Sequence, residues 1–277
     1  MPSAERLGIG IITRNRLATL QRCVAQIVRH TRVPHTLVVA DDGSTDGTEA
    51  WARGAGIPVV AGPRRGCAWN KNRALSYFEA HTDCDPIVLF EDDTWPVGAG
   101  WDAVWTAAAR RWQHVNYCYG YSPAGGGTAD DPYQGTAFGG HCTITTRAAL
   151  GEVGYLDTRF IGYGCEHVEW THRFRTRYGT QWALPGLTVP CLDFGVLASW
   201  PPSAFSEEEM EVNKGVWERL HTDPAEPVYR APWRGDDERR QLQAEVEAAR
   251  RGLRRERALI HPGRDQPGGT ERGAARR

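Results

Sequence analysis

Short apolar runs alternate with amphipathic stretches in the first part of the chain, and this alternation limits the possible folds more than any other feature. Between the runs, apolar residues recur at steps of three and four from Leu17 to Val28, which indicates one apolar stripe on a helix. Strands that alternate with helices predict right-handed crossovers and a mainly parallel sheet in an α/β fold. The four predicted strands cover residues 7–12, 36–40, 57–61 and 86–90.

Polar clusters follow three of these four strands directly. They are T-R-N at residues 13–15, D-D-G-S at residues 41–44 and E-D-D at residues 91–93. In open α/β sheets, ligands bind outside the carboxyl ends of the strands. The three clusters therefore predict one binding site along this edge of the sheet.

The acid triplet Glu91-Asp92-Asp93 predicts a metal site, although an isolated acid triplet is typical of a solvated turn. The apolar strand before it provides a rigid support, and Glu91 and Asp93 can point the same way because side chains alternate along a strand. Two carboxylates supply hard oxygen ligands for Mg²⁺ or Mn²⁺, with a diphosphate completing the octahedron. A phosphatase nucleophile in D-x-D-x-T is excluded, since the first acid is glutamate and Trp95 ends the pattern.

Asp41 and Asp42 permit two interpretations. Asp-Gly-Ser chemistry forms a turn by itself, and Thr45 or Ser44 is expected to cap a helix over residues 50–53. Alternatively, the two carboxylates accept hydrogen bonds from a nucleotide base or from ribose hydroxyls. Both interpretations can hold together.

The second half of the chain is less regular. Helices are predicted over residues 101–112 and 166–178, strands over 115–119 and 138–146, and a mobile lid over the Gly-, Pro- and Asp-rich segment 122–135. From residue 235 an Arg- and Glu-rich helix is expected to be solvated apart from one narrow apolar stripe, and the chain after Pro262 to be disordered. The stripe consists of Leu242, Val246, Ala249, Leu253 and Ile260.

Composition excludes several classes of protein. A net charge of −1 attracts neither nucleic acid nor an anionic membrane, and no early apolar run is long enough for a signal peptide or a membrane span. The 7 cysteines contain no C-x-x-C pair, which predicts reduced thiols in a cytoplasmic protein without a zinc site. His167 and His172 are spaced wrongly for the H-E-x-x-H metalloprotease motif. A G-x-x-T-R-L loop, which a sugar-nucleotide pyrophosphorylase needs after the first strand, is missing.

Five segments, in order, resemble family 2 glycosyltransferases with the GT-A fold, which use nucleotide-diphosphate sugars. Four are I-I-T-R-N-R, V-V-A-D-D-G-S-T-D-G-T, G-C-A-W-N-K-N-R-A-L and V-L-F-E-D-D, and the fifth runs from F-G-G-H-C-T-I-T-T-R to I-G-Y-G-C-E-H-V-E-W. The resemblance implies a Rossmann-like, mainly parallel sheet flanked by helices, with a C-terminal helical extension. It divides the chain into a nucleotide-sugar-binding half (1–98), an acceptor-binding half (99–234) and a charged helix and tail (235–277).

The resemblance also implies roles for individual residues on the donor side. Lys71 stands where the family usually has arginine, so a positive charge is kept while bidentate geometry is lost. Asp93, with Glu91, is implied as the ligand of Mn²⁺ or Mg²⁺. The third ligand is left open, with His221 and Asp193 as candidates that lie in no convincing motif. The implied nucleotide-sugar-binding residues are Thr13, Asn15, Asp41, Asp42, Gly66, Lys71, Asn72, Glu91 and Asp92.

The segment G-Y-G-C-E-H-V-E resembles the part of the family that holds the acceptor and the catalytic base. His167 replaces the usual second acid, so Glu166, His167 or Glu169 could accept the acceptor's proton. Glu169 and Trp170 are the implied acceptor contacts, while His141 is either a ligand contact or a core histidine. Glu166 and Glu169 could also merely complement the helix dipole.

The sequence thus predicts a metal-dependent, cytoplasmic glycosyltransferase that inverts the sugar configuration, with a UDP-sugar as the favoured donor. A retaining mechanism, or a catalytically silent sugar- or nucleotide-binding module, remains open if the departure at His167 removes the base. No stable membrane insertion is expected. The acceptor and the oligomeric state are left open.

Overall fold

One eight-stranded sheet organises the chain in the computed structural model, which describes residues 6–118, 124–136, 138–193, 196–198, 206–223 and 225–260. The strands are β1 (Leu7–Thr13), β2 (His35–Asp41), β3 (Val59–Ala61), β4 (Ile87–Glu91), β5 (Thr94–Pro96), β6 (His114–Cys118), β7 (Tyr133–Gly135), β8 (Phe138–Thr145), β9 (Val189–Leu192) and β10 (Val196–Ala198). The helices are α1 (Leu17–His30), α2 (Thr48–Gly54), α3 (Cys67–His81), α4 (Trp101–Trp112), α5 (Arg147–Val153), α6 (Glu166–Trp182), α7 (Glu207–Thr222) and α8 (Asp236–Ile260).

The sheet has the order β3-β2-β1-β4-β8-β6-β9-β7, while β5 and β10 form a separate antiparallel pair. Strands β3, β2, β1 and β4 are all parallel, as the strand–helix alternation predicts. Strand β8 lies antiparallel between β4 and β6, and β7 is antiparallel to β9. Each antiparallel pair includes a strand of the irregular second half. Strand β5 in the first half, and β7, β9, β10, α5 and α7 in the second, were not predicted.

The strand register brings the polar clusters together. Thr13 at the end of β1 pairs with Asp41 of β2, and Ile12 pairs with Glu91 of β4. The three parallel strands therefore end at the same level, and the predicted convergence of polar clusters at one sheet edge is confirmed.

Helix α3 is buried on almost every side and carries four consecutive polar residues into the interior. They are Asn70, Lys71, Asn72 and Arg73, and all are buried. A buried polar group without a hydrogen-bond partner destabilises a fold, so each of these side chains must be matched by another element. Their partners make up much of the site described below.

Two local predictions need comment. Helix α2 begins after Gly47 with no side-chain cap, so the expected cap by Thr45 or Ser44 is wrong. The Asp46 carboxylate instead accepts hydrogen bonds from the backbone N–H and the hydroxyl of Thr48. In the predicted lid, residues 122 and 123 lie outside the described residues and residues 133–135 form β7. The predicted disordered tail after Pro262 also lies outside them.

Helix α8 packs against α3 and β3. Leu242, Val246 and Ala249 are buried in this contact, which confirms the first part of the predicted apolar stripe. Glu245 is buried beside them, contrary to the expectation of a solvated polar face. None of the helices in the described ranges combines the length and the apolar character needed to cross a membrane.

Candidate active site

Two cations hold the three adjacent carboxylates after β4. Lys71 of α3 pairs with Glu91, with Nζ 3.1 Å from Oε1. Arg16, just before α1, pairs with both Asp92 and Asp93, its Nη1 lying 2.9 Å from a carboxylate oxygen of each. The repulsion within the triplet is therefore compensated by partners from two different elements.

Asp92 faces inward and joins the ends of β1 and β4. Its Oδ2 accepts a hydrogen bond of 2.7 Å from the Thr13 hydroxyl. Burial raises the pKa of Asp92 to about 7, although Arg16 and the Thr13 hydroxyl act in the opposite direction. With both oxygens occupied by protein groups, Asp92 and Thr13 support the edge rather than present free atoms to a ligand.

Glu91, Asp93 and His141 form a potential metal site. Each offers one ligand atom, and these atoms all lie within 4.8 Å of one another. Burial opposes ionisation of Glu91, but Lys71 and His141 outweigh it and lower its pKa. Oδ1 of Asp93 is buried without a hydrogen-bond partner, which is the state expected of an atom that ligates an ion. Two carboxylates and an imidazole suit Mn²⁺ or Mg²⁺.

His141 reaches this cluster because β8 runs antiparallel to β4, with Cys142 opposite Phe90. The candidate third ligands, His221 and Asp193, are not members of the cluster, which is the only such group of three found among the described residues. The His221 ring instead packs against His172, with ring centroids 4.5 Å apart. The antiparallel pairing of β8 with β4 thus places His141, and neither of these two candidates, beside Glu91 and Asp93.

Lys71 links the metal cluster to the segment expected to hold the base. Its Nζ lies 3.0 Å from Oε1 of Glu166 and 3.3 Å from the Gly140 carbonyl, in addition to Glu91. Burial alone would lower the pKa of Lys71, but the two carboxylates outweigh it and raise the pKa. The three N–H donors of this ammonium are all used.

Glu166 is fully committed to other protein groups. It accepts hydrogen bonds from Lys71 and from the Gly164 backbone N–H at 3.0 Å. Burial opposes its ionisation, but Lys71 and His167 outweigh it, so the pKa of Glu166 lies far below its ordinary value. A carboxylate stabilised to this extent in its charged form is a weak base.

His167 lies next to Glu166 and is partly exposed. Its Nδ1 is 3.5 Å from Oε1 of Glu166. The ring packs against Gly140 so closely that a Cβ at that position would lie 2.8 Å from Cγ and Nδ1 of the imidazole. The carboxylate and the glycine together orient the ring.

Glu169 and Trp170 lie on a face of α6 that packs into the core. Glu169 pairs with Arg173 at 2.8 Å, and the Trp170 indole donates to the Gly154 carbonyl at 2.9 Å. Both side chains are buried, with Trp170 1% exposed. These are the contacts of core residues, and the described structure gives no support to the acceptor contacts implied for them.

The loops after β1 and β2 are joined by hydrogen bonds. The Asn15 side chain accepts from the Thr45 backbone N–H at 2.7 Å, and the Asn15 N–H donates to the Ser44 hydroxyl at 2.8 Å. Asp41 accepts from the backbone N–H and the hydroxyl of Ser44. The turn interpretation of Asp41 is thus confirmed, and Asn15 lies exposed at the mouth of this edge.

The Asp42 carboxylate organises the loop before α3. It accepts hydrogen bonds from the backbone N–H groups of Arg65 (2.8 Å) and Gly66 (2.9 Å). The guanidinium of Arg73 donates a third bond of 2.8 Å to it. Asp42 is therefore occupied by protein donors and fixes the loop before α3.

Arg73 connects Asp42 and the loop before α3 to the C-terminal helix. This contact was not predicted from the sequence. Its Nε donates to Oε2 of Glu245 at 2.9 Å, and the Trp69 indole donates to the same oxygen at 3.2 Å. A signal was present in the sequence: Glu245 follows Leu242 by three positions, which places it on the apolar face of α8.

Gly66 and Asn72 attach the donor side to the second half of the chain. Gly66 has φ +93°, and a Cβ there would lie 2.4 Å from the Gly162 nitrogen. The amide of Asn72 donates to the Leu156 carbonyl at 2.8 Å and accepts from the Leu156 N–H at 3.0 Å. Both groups of the Asn72 amide are engaged, so it holds two segments together.

Comparisons with known proteins match part of the sequence and the fold. Residues 9–121 match the model of glycosyl transferase family 2. No curated protein matches the chain in sequence. A crystal structure of GalNAc-T7 with UDP, GalNAc and Mn²⁺ is similar with a TM-score of 0.61 at 14% identity, over 89% of this chain and 55% of that one. The mannosyltransferase PcManGT from Pyrobaculum calidifontis, in complex with GDP-Man and Mn²⁺, is similar with a TM-score of 0.51 at 15% identity, over 96% of this chain and 78% of that one.

These likenesses show the fold, and the predicted GT-A architecture is confirmed. The chain spans 55% of the GalNAc-T7 chain, so about half of that protein has no counterpart here. The family match ends at residue 121, before the segment that contains Glu166 and His167.

Proposed function

We propose that the chain, whose residues 9–121 match the model of glycosyl transferase family 2, transfers a sugar, with inversion, from a nucleotide-diphosphate donor to an acceptor hydroxyl. The donor would bind at the edge formed by β1, β2 and β4, within the half of the chain covering residues 1–98. The acceptor would approach from the segment around α6, in residues 99–234.

A divalent metal, Mn²⁺ or Mg²⁺, would be held by Asp93, Glu91 and His141. The observation that carries this proposal is the buried Oδ1 of Asp93, which has no hydrogen-bond partner and belongs to a cluster of three ligand atoms. A metal in this position neutralises the charge that develops on the leaving diphosphate. The two similar crystal structures contain Mn²⁺ together with UDP or GDP-Man.

His167 is the residue we propose as the base. An inverting transfer needs one group that takes the proton of the acceptor hydroxyl while its oxygen forms the bond to the anomeric carbon and the bond to the diphosphate breaks. Glu166 is poorly suited, because its charged form is stabilised by Lys71. Its role would be to orient His167 through Nδ1 and to stabilise the imidazolium that forms.

We favour a UDP-sugar as the donor. We also infer a cytoplasmic location from the state of the cysteines. All seven occur as free thiols, as expected of a protein in a reducing compartment.

Turnover measurements with a panel of UDP- and GDP-sugars, with and without Mn²⁺, test the function. We expect metal-dependent donor hydrolysis or transfer that Asp93→Ala reduces at least about 100-fold, because the leaving charge loses its counter-ion. Asp130→Ala, which alters a side chain 90% exposed, is the matched control. A wild-type protein that neither binds nor hydrolyses any nucleotide sugar in the presence of metal would disprove the proposal.

A catalytically silent binding module is the second candidate, favoured by the replacement of the family's second acid with His167 and by the commitment of Glu166 to Lys71. Calorimetry distinguishes the two candidates. A silent module would bind the nucleotide sugar without hydrolysing or transferring it, so wild type and His167→Ala would both show binding and no turnover. In the enzyme, His167→Ala lowers kcat and leaves donor affinity near the wild-type value.

A further inference from the structure

We propose that Arg16 supplies the cationic contact to the donor's diphosphate, while Lys71 does not. This inference rests on the proposed function and goes beyond it, because neither the sequence patterns nor the family match assigns Arg16 a role. The two cations that flank the acid triplet differ in the number of hydrogen-bond donors they have left for a ligand.

Lys71 has no donor left for a ligand. Its ammonium has three N–H groups, and they are directed to Glu91, Glu166 and the Gly140 carbonyl. The side chain is 2% exposed. A phosphate could reach it only by breaking a buried ion pair, which would leave a carboxylate without its counter-charge.

Arg16 has the opposite property. Its Nη1 pairs with Asp92 and Asp93, but its Nη2 is buried without any acceptor among the described residues. Oδ1 of Asp93, on the other partner of this ion pair, is likewise buried without a donor. One ion pair thus carries an unused cationic donor and an unused anionic acceptor, and leaving such groups unpaired destabilises the unliganded protein.

A metal diphosphate satisfies both atoms at once. The metal would take the free carboxylate oxygen of Asp93, and the diphosphate would accept from the guanidinium, whose planar fork matches phosphate oxygens. The Arg16 side chain keeps 22% of its surface exposed, whereas that of Lys71 keeps 2%. Its backbone position is held by the neighbouring Asn15, which is bonded to Ser44 and Thr45.

The arrangement has a consequence for metal binding. Without a diphosphate, the positive charge of Arg16 lies against Asp93 and competes with the metal for the same carboxylate. With a diphosphate, the two cations share the negative charge of the ligand. Metal and diphosphate therefore bind cooperatively, each raising the affinity for the other.

Calorimetric titrations of Arg16→Met test the assignment with two probes, Mn²⁺ alone and inorganic pyrophosphate in the presence of Mn²⁺. We expect pyrophosphate to bind about 10- to 100-fold more weakly, the loss typical of a charged hydrogen bond. Mn²⁺ alone is expected to bind several-fold more tightly, because a competing cation is gone. Arg14→Met removes the same charge from an exposed side chain two residues away and should change neither affinity.

The opposite signs make the test specific, since a partly unfolded variant would lose affinity for both probes. Pyrophosphate affinity within twofold of wild type, or a parallel loss for both probes, would overturn the role of Arg16.

If Arg16→Met does not fold, as judged by circular dichroism, Arg16→Lys replaces it. That variant keeps the charge but loses the second nitrogen, and we expect pyrophosphate affinity to fall at least threefold. Wild-type protein that binds no pyrophosphate, UDP or GDP with Mn²⁺ would refute the proposed function itself.

Discussion

The two sides of the acid triplet differ in how completely their hydrogen-bonding groups are used. Around Lys71, the ammonium and Glu166 are satisfied by protein partners. Around Arg16, one guanidinium nitrogen and one oxygen of Asp93 are buried and unpaired. Charged groups that are fully satisfied by one another preserve a fixed geometry, whereas unsatisfied ones mark the place where a ligand completes the structure. The comparison assigns support to one side and binding to the other.

The largest expected effect concerns the saturated side. Lys71→Met would leave Glu91 and Glu166 buried without their common counter-charge, so we expect the free energy of unfolding to fall by about 3–5 kcal/mol. Urea denaturation measures the change, with the exposed Lys214→Met as the control. The double variant with Glu166→Gln should recover part of the loss. If Lys71→Met were as stable as wild type, the structural role assigned to the Lys71 side of the triplet would be contradicted.

A smaller effect on stability is expected where Glu245 of α8 contacts α3. Glu245→Ala removes the partner of Arg73 and of the Trp69 indole, and we expect it to cost about 2–3 kcal/mol of stability, as for a buried charged hydrogen bond. Because Arg73 also donates to Asp42, the affinity for nucleoside diphosphate should fall several-fold. Glu247→Ala, on the exposed side of α8, should change neither quantity. Loss of stability with unchanged affinity would show that the contact of α8 with Arg73 does not influence nucleotide binding.

The expected effect that is smallest at neutral pH concerns His114, a buried group for which the described residues provide no counter-charge. Burial lowers the pKa of His114 to about 3, with Arg173 adding to the shift and a hydrogen bond with Asn116 opposing it. The unfolded chain takes up a proton near pH 6.5, but the folded chain does not until about pH 3. Stability attributable to His114 is therefore present above pH 6.5 and is lost as the pH falls between these values.

The loss attributable to His114 should reach about 1.4 kcal/mol per pH unit. Unfolding free energies of wild type and His114→Phe measured between pH 4 and pH 7 check this value. The ring of His114 stacks on Phe174 with centroids 4.0 Å apart, so phenylalanine preserves much of the packing. Equal slopes in the two proteins would show that His114 does not contribute to acid sensitivity.

The edge of the sheet could be predicted because it depends on local patterns. Apolar runs predicted the parallel strands, and polar residues at the strand ends predicted which side chains meet at one edge of the sheet. Residues such as Thr13 and Asp93 were placed at this edge in this way. Their detailed contacts were beyond reach, because the pairing of Thr13 with Asp92 depends on side-chain directions that no spacing specifies.

Other parts of the site depend on contacts between distant segments. Arg73 and Glu245 meet across 172 positions, and His141 joins Glu91 through an antiparallel pairing that the irregular second half concealed. Trp170 was implied as an acceptor contact by the resemblance of its segment to the family. Its indole donates to the Gly154 carbonyl, a contact between two segments that no spacing specifies.

The contact between Gly66 and Gly162 has a consequence for engineering. The N–H of Cys67 donates to the Gly162 carbonyl at 2.7 Å, and no side chain fits at Gly66. At this point the donor and acceptor segments therefore meet through backbone alone. A chimaera that exchanges residues 99–234 for those of a relative, in order to change the acceptor, must import a segment whose backbone can lie against Gly66. Compatibility at this contact, rather than similarity of the pockets, is the first criterion for choosing the exchange partner.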